Sequence, residues 1–289
     1  MMFWLLLGLA LVNTALAKVS TNFDDCRGHF YASTPPQGFE NVFNQNGVIT
    51  HLCLMLENQN NPFYASLYHK ELRYPLYAAY ILDIRPDDPK SSSKTFRLEP
   101  QLVDPSLPDH MMSQPELQTS IRKKRLPGQP ADLIKQVQAI NSDYSNPDYH
   151  KGHLNPNADH PAGPGQEATY TLANVAPMYG SLNCGQWRTN EERVRNIAKK
   201  CAKMYVVTGV VPGSEWIPVK GVQQRVNIPS HIWSAFCCLG NNNQPIAAEG
   251  SLVVNNASGV PTRHSISNLQ TELFNLLHVS VTLFNNSCS

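Results

Sequence analysis

Residues 204–211 read Met-Tyr-Val-Val-Thr-Gly-Val-Val, a nearly continuous apolar run rich in valine. A short run of this kind packs both of its faces and belongs in the middle of a sheet. It is read as a central strand, and the rest of the chain must supply neighbours and cover for it. Pro75–Asp83, rich in Tyr and Ile, reads as a second buried strand. Ala168–Val175 alternates like a strand, and Ile232–Leu239 and Ala247–Val254 read as further strands. Helical spacing marks Ala131–Ile140, Asn183–Cys201 and Ile266–Leu277, the last with Ser265 as its cap. Pro86–Pro130 reads as a long irregular connection, and residues 141–165 as loop with a short strand. Strands before and after a central helix make the chain α+β, with a central, mostly antiparallel sheet.

The N-terminus bounds the compartment. Residues 1–17 carry no charged side chain and end Ala15-Leu16-Ala17 before Lys18, as a secretory signal peptide does. An N-terminal anchor is the alternative, and no later stretch is apolar for long enough to span a bilayer. Residues 18–59 read as a loop-rich segment around Pro35-Pro36-Gln37-Gly38. The chain is therefore expected to be secreted and to carry disulfides among its 7 cysteines. Cys26 with Cys53 is the expected pair, since both precede the core; the other pairs stay open, and one thiol is free or pairs outside the chain. Asn256-Ala257-Ser258 and Asn285-Asn286-Ser287 are glycosylation sequons. The formal net charge is +1, which argues against binding nucleic acid through a global basic field and leaves room for a local basic site.

Two segments carry the chemistry. One is His150-Lys151-Gly152-His153-Leu154-Asn155-Pro156. The other is Asn174-Val175-Ala176-Pro177 followed by Leu182-Asn183-Cys184-Gly185-Gln186-Trp187 and Glu191. Together they resemble the DNA/RNA non-specific endonucleases of the ββα-metal (His-Me finger) type, whose motif is Asp-Arg-Gly-His, then Asn-x-x-Pro, then Asn-x-x-x-Trp-x-x-x-Glu on a helix. The resemblance runs from roughly residue 60 to 285, with 60–289 as the expected endonuclease domain.

That resemblance implies a metal-dependent enzyme that hydrolyses phosphodiester bonds of DNA and RNA without sequence preference. Mg²⁺ is the expected ion, with Mn²⁺ or Ca²⁺ as alternatives. His153 is the general base, for which a neutral imidazole suits neutral pH. Asn183 supplies an amide oxygen to the ion, whose remaining positions hold water and phosphate oxygens. Residues four apart on a helix drift only about 40° per step, so Asn183, Trp187 and Glu191 share a broad face, and about 12 Å of rise separates the first from the last. Glu191 is therefore expected to act through a metal-bound water, and Trp187 to pack the helix onto the sheet. Lys151 and Arg97 are expected to hold the phosphate, and Asn174 to bind substrate. Gly152 is expected to let the backbone approach a phosphate.

The motif's Asp-Arg is replaced here by His150-Lys151. Lys151 keeps the charge but loses the bidentate fork of arginine. The substitutions motivate a rival reading, an extracellular binding module on a weakened or retired nuclease scaffold. Other readings also stay open: N-capping for Asn183, a solvated pair with Arg195 for Glu191, and zinc on His150, His153 and His160. Arg122-Lys123-Lys124-Arg125 reads as a solvated loop, a backbone-phosphate contact or a convertase cleavage site.

Overall fold

The computed structural model describes residues 19–20, 22–42, 47–84, 94–218 and 224–288. The expected leader, residues 1–17, and the start of the long connection lie outside them. The described strands are β1 Val19–Ser20, β2 Ile49–Leu54, β3 Tyr64–His69, β4 Tyr74–Leu82, β5 Tyr149–His153, β6 Val175–Tyr179, β7 Lys203–Val211, β8 Glu215–Ile217, β9 Val226–Ile228, β10 His231–Leu239, β11 Pro245–Val254 and β12 Thr262–His264. The described α-helices are α1 Pro100–Val103, α2 Gln114–Lys124, α3 Pro130–Val137, α4 Pro164–Ala168, α5 Gly180–Cys184, α6 Gln186–Ala198 and α7 Ile266–Leu277. No described helix is long and apolar enough to cross a membrane.

Eight strands form one sheet in the order β1-β2-β3-β4-β7-β10-β11-β12, every pair antiparallel. The valine run is β7, held between β4 and β10. Gly209 in β7 is a packing glycine: a Cβ there would stand 2.4 Å from the Trp233 ring and 2.5 Å from the Leu76 carbonyl. Trp233, Tyr64, Tyr68, Tyr74, Tyr77 and Tyr80 are fully buried, so aromatic rings supply much of the core's apolar area.

Several expectations are corrected. The loop-rich segment 18–59 also carries β2, which pairs with β3 along its whole length, and the expected disulfide joins Cys26 to Cys53. Polar Thr50 and His51 hide that strand from a hydrophobicity reading, and β3, its full-length partner, lies outside the segment. The connection before residue 130 is not wholly irregular, because α2 forms from Ser113 onward. Its capping box closes with Ser113 and Glu116, and Arg125 in the left-handed region ends it. The basic run is thus the exposed last turn of a helix, where cations complement the helix dipole. The alternating stretch 168–175 is not a strand until Val175. Thr171 accepts the Ala173 N–H at 3.3 Å and Thr169 donates to the Gln166 carbonyl at 2.7 Å, local bonds that compete with a ladder.

Three disulfides are formed: Cys26–Cys53, Cys201–Cys238 and Cys237–Cys288. Cys184 is free and exposed. The chain leaves the sheet at the end of β4 and re-enters as β7, the strand next to it. Everything in the candidate site is built by that excursion.

Candidate active site

The hairpin β5–β6 pairs His153 with Val175 and Lys151 with Pro177, and β6 runs directly into α5. This is the ββα unit. Side chains alternate along β5, so Lys151 and His153 share one face and His150 and Gly152 the other. The first face is framed by aromatic rings. Phe96 lies 5.5 Å and Tyr170 5.3 Å from the His153 ring. The Lys151 ammonium sits 5.1 Å from the Phe96 centroid and 5.4 Å from that of Tyr144.

This frame sets the protonation states. Desolvation, aided by the Lys151 charge, pulls His153 down from 6.5 to about 4. Burial also lowers Lys151. The His153 Nε2 is buried and has no hydrogen-bond partner. His153 is thus a neutral base with an unused lone pair or N–H beside a cation.

Gly152 has a different role from the one expected. A Cβ there would meet the Met178 Cβ at 2.7 Å and its Cε at 2.8 Å, so the space beneath it is filled by β6 and not by a phosphate. Asn174 also differs from expectation. It is fully buried; its Oδ1 accepts the Asn155 N–H at 2.9 Å, and its Nδ2 donates to the carbonyls of Asn155 and Thr169, each at 2.9 Å. An amide with every polar atom so engaged holds the loop behind His153 and has nothing left for substrate.

The expected helix from Asn183 to Cys201 is two helices. Gly185, at φ −110 and ψ −110, separates α5 from α6. Asn183 lies inside α5 and caps nothing; α6 is capped by Gly185, without a side-chain bond. The Asn183 amide is half-buried and makes no hydrogen bond among the described residues. Trp187 is buried and packs α6 onto the core together with Val194 and Ala198. Glu191 is half-buried, and desolvation with the Asp159 charge pushes its carboxyl up to about 8. Arg195 donates to Asp159 at 3.0 Å and acts on Glu191 through its charge, which opposes the rise.

Asp159 is the residue that sequence reasoning missed. Its other oxygen accepts from Tyr80 Oη at 2.9 Å, and its carbonyl accepts the Asp83 N–H at 2.9 Å. One buried carboxylate thereby ties β4, the loop after β5 and α6 together. Nothing in Asn157-Ala158-Asp159 as a string signals this; only the topology brings Tyr80 and Arg195 to it.

Arg97 is brought near the site through its neighbour and not through its own side chain. Phe96 faces His153, while the Arg97 guanidinium pairs with Glu167 and lines a separate cavity of ≈ 320 Å³ with Glu57, His110 and Glu116. Among the described residues, no hydrogen bond or ion pair joins the Arg97 side chain to His153, Lys151 or Asn183. The zinc reading for three histidines also fails geometrically: His150 and His153 lie on opposite faces of β5, and His160 Nε2 is engaged with Asn155 Oδ1 at 2.6 Å. No group of three or more His, Cys, Asp or Glu among the described residues is arranged to hold a metal.

The sequence profile of the DNA/RNA non-specific endonucleases matches residues 49–288. The chain belongs to this family. Among known non-specific endonucleases and their relatives, it is 31% identical over 252 residues to the mouse protein called endonuclease domain-containing 1 protein, and 28% identical over 247 residues to the human one. Each match covers 81% of this chain and 44% of the relative, so the chain spans less than half the length of those proteins. One chain in the crystal structure of the EndoG/EndoGI complex superposes with TM-score 0.53 at 17% identity, over 77% of this chain and 83% of that one. That likeness speaks to the fold: a large antiparallel sheet carrying the ββα unit of these nucleases.

Proposed function

We propose that the protein is a secreted, metal-dependent endonuclease that hydrolyses the phosphodiester bonds of DNA and RNA without sequence preference. The observation that carries this reading is His153, framed by Phe96 and Tyr170 with a buried and unpartnered Nε2, two residues from the Lys151 ammonium on the same face of β5. A general base beside a fixed positive charge is what attack of water on a phosphate diester needs.

The residues present fit a hard divalent cation. The Asn183 side-chain amide is half-buried and makes no hydrogen bond among the described residues, and oxygen is the donor that Mg²⁺, Mn²⁺ or Ca²⁺ takes. Asn183 would hold the ion directly, and Glu191 would hold one of its waters. A bound ion supplies charge relief for the phosphate and for the departing 3′ oxygen. His153 takes the proton of the attacking water. Lys151 steers and holds the phosphate from the same face. Phe96, Tyr144 and Tyr170 keep that pair dry and oriented, and Asn174 fixes the loop that positions His153. Arg97 is left out of this machinery, because its guanidinium is held by Glu167.

Three disulfides support an oxidising compartment, and the leader-like residues 1–17 fit secretion. The two sequons would then be open to glycosylation.

Plasmid DNA and a structured RNA, incubated with the purified protein with Mg²⁺, with EDTA and with His153→Ala, test the reading. Cutting that needs the ion and is lost with His153 is expected. A folded protein that cuts neither polymer with any of the three ions would remove the enzyme reading and leave the binding scaffold.

A further inference from the structure

Glu99 is buried, and among the described residues no cation pairs with it. A carboxylate taken out of water without a partner charge is costly, so such a group tends to keep its proton. Its side-chain neighbour is Thr171, whose Oγ1 lies 3.1 Å from Glu99 Oε1 and 3.1 Å from the Arg97 carbonyl. The same oxygen accepts the Ala173 N–H at 3.3 Å. A hydroxyl has one proton to give, and a carbonyl can only accept. Both 3.1 Å contacts are therefore hydrogen bonds only when the carboxyl supplies the second proton. Burial acts in the same direction, pushing Glu99 up from 4.5 to about 7.

This contact closes a bridge beside His153. The Arg97 N–H donates to the Tyr170 carbonyl and the Arg97 carbonyl accepts the Leu172 N–H, each at 2.9 Å. The Gln138 amide holds the backbone N–H and carbonyl of Glu99, each at 3.0 Å. Phe96 and Tyr170 stand at the starts of the two bridged segments, their rings 5.5 Å apart, and both frame His153. The ionisable groups around Glu99 offer it no positive charge. Tyr64 and Tyr68 of β3 feel its charge and are held neutral by burial, and Asp109 lines the same small cavity. The Arg97 guanidinium is turned to Glu167.

We propose that Glu99 is a positioning residue: protonated, it latches Phe96–Glu99 to Tyr170–Leu172 through Thr171 and so holds the aromatic frame around His153, and its ionisation loosens that frame. The latch stands on the contacts; its effect at His153 rests on the nuclease reading.

Glu99→Gln keeps a neutral donor of nearly the same shape. As pH rises from about 4.5 to 7, the natural protein should lose thermal midpoint relative to Glu99→Gln, because its folded state binds the extra proton in that window. Above it the two curves should run parallel. The infrared difference between the two proteins, taken inside the window, should show the carbonyl stretch of a carboxylic acid. A carboxylate stretch there, or midpoints parallel throughout, overturns the latch. For the effect at His153, kcat and KM of Mg²⁺-supported cleavage are followed across pH 7. One unit above it, Glu99→Gln should hold kcat severalfold above the natural protein's, with KM alike, since a single ionisation removes up to about tenfold per unit. Lys151 and Glu191 are present in both proteins, so the difference reads Glu99. Superimposable profiles overturn the positioning role. Should the protein cut nothing, the midpoints and the infrared band still decide the latch, so the two readings fail separately.

Discussion

Asn174 grips Asn155 from both sides, accepting its backbone N–H and donating to its carbonyl, each at 2.9 Å. Asn155 lies two residues after His153, so this clamp fixes where the general base leaves the strand. Asn174→Asp replaces the donor that faces two carbonyls with a third oxygen. Buried and without compensation, it should cost about 2–4 kcal/mol of stability. Urea denaturation measures this. If instead stability holds and only KM rises, Asn174 touches substrate after all.

His153 sits in an environment that favours the neutral ring, at about 4 against 6.5 for the free side chain. The base is active when unprotonated, so activity should be retained as pH falls through 6.5 and be lost only near pH 4. A pH–rate profile of kcat/KM under saturating metal reads this limb directly. An acid limb near pH 6.5 would mean that the aromatic frame does not desolvate the ring in the working enzyme. His153→Ala should lower kcat by roughly 10²–10⁴.

Lys151 is held over Phe96 and Tyr144 and, among the described residues, pairs with no carboxylate. Removing it should cost on the order of 10² in kcat, as loss of one charge-stabilising donor does. Lys151→Arg restores the forked geometry of the family motif and stacks on the same rings, so it should raise kcat/KM above that of the natural protein. Steady-state cleavage of a short duplex compares the three. Arg97→Ala, whose guanidinium faces Glu167, should change kcat far less than Lys151→Ala does.

His160, like His153, is pulled down to about 4, chiefly by burial and partly by His29, while Asp83 opposes the shift. A histidine whose folded pKa is depressed stays neutral in the fold, while the unfolded chain takes up a proton near 6.5. The unfolded state then binds more protons, and stability is lost as pH falls from about 6.5 towards 4. His160→Gln retains a donor towards Asn155 Oδ1, which lies 2.6 Å from Nε2, and removes the titration. Its thermal midpoint should fall less steeply over that window than the natural protein's. Parallel curves would show that His160 contributes nothing to the acid sensitivity.

Local pattern carried a good part of this protein. The valine run, the strands β10 and β11 and the Ser265-capped α7 could be read from the string, because burial on a sheet or a helix stripe imposes a period on neighbouring residues. The spacing of His153, Asn183, Trp187 and Glu191 could be read as well, since chemistry demands residue types at intervals. What tertiary structure decided was direction and partnership. Phe96 and Arg97 are adjacent in sequence, yet only the first faces His153. Gly152 is filled by Met178 from the opposite strand. Asn174 is consumed by Asn155 and Thr169, and Gly185 breaks a helix that its flanking residues would continue. Asp159 joins Tyr80 and Arg195, and Cys184 meets His150, across separations of 79, 36 and 34 residues. Such contacts depend on which elements the sheet brings together, and a side chain's neighbours within one strand or turn say nothing of them.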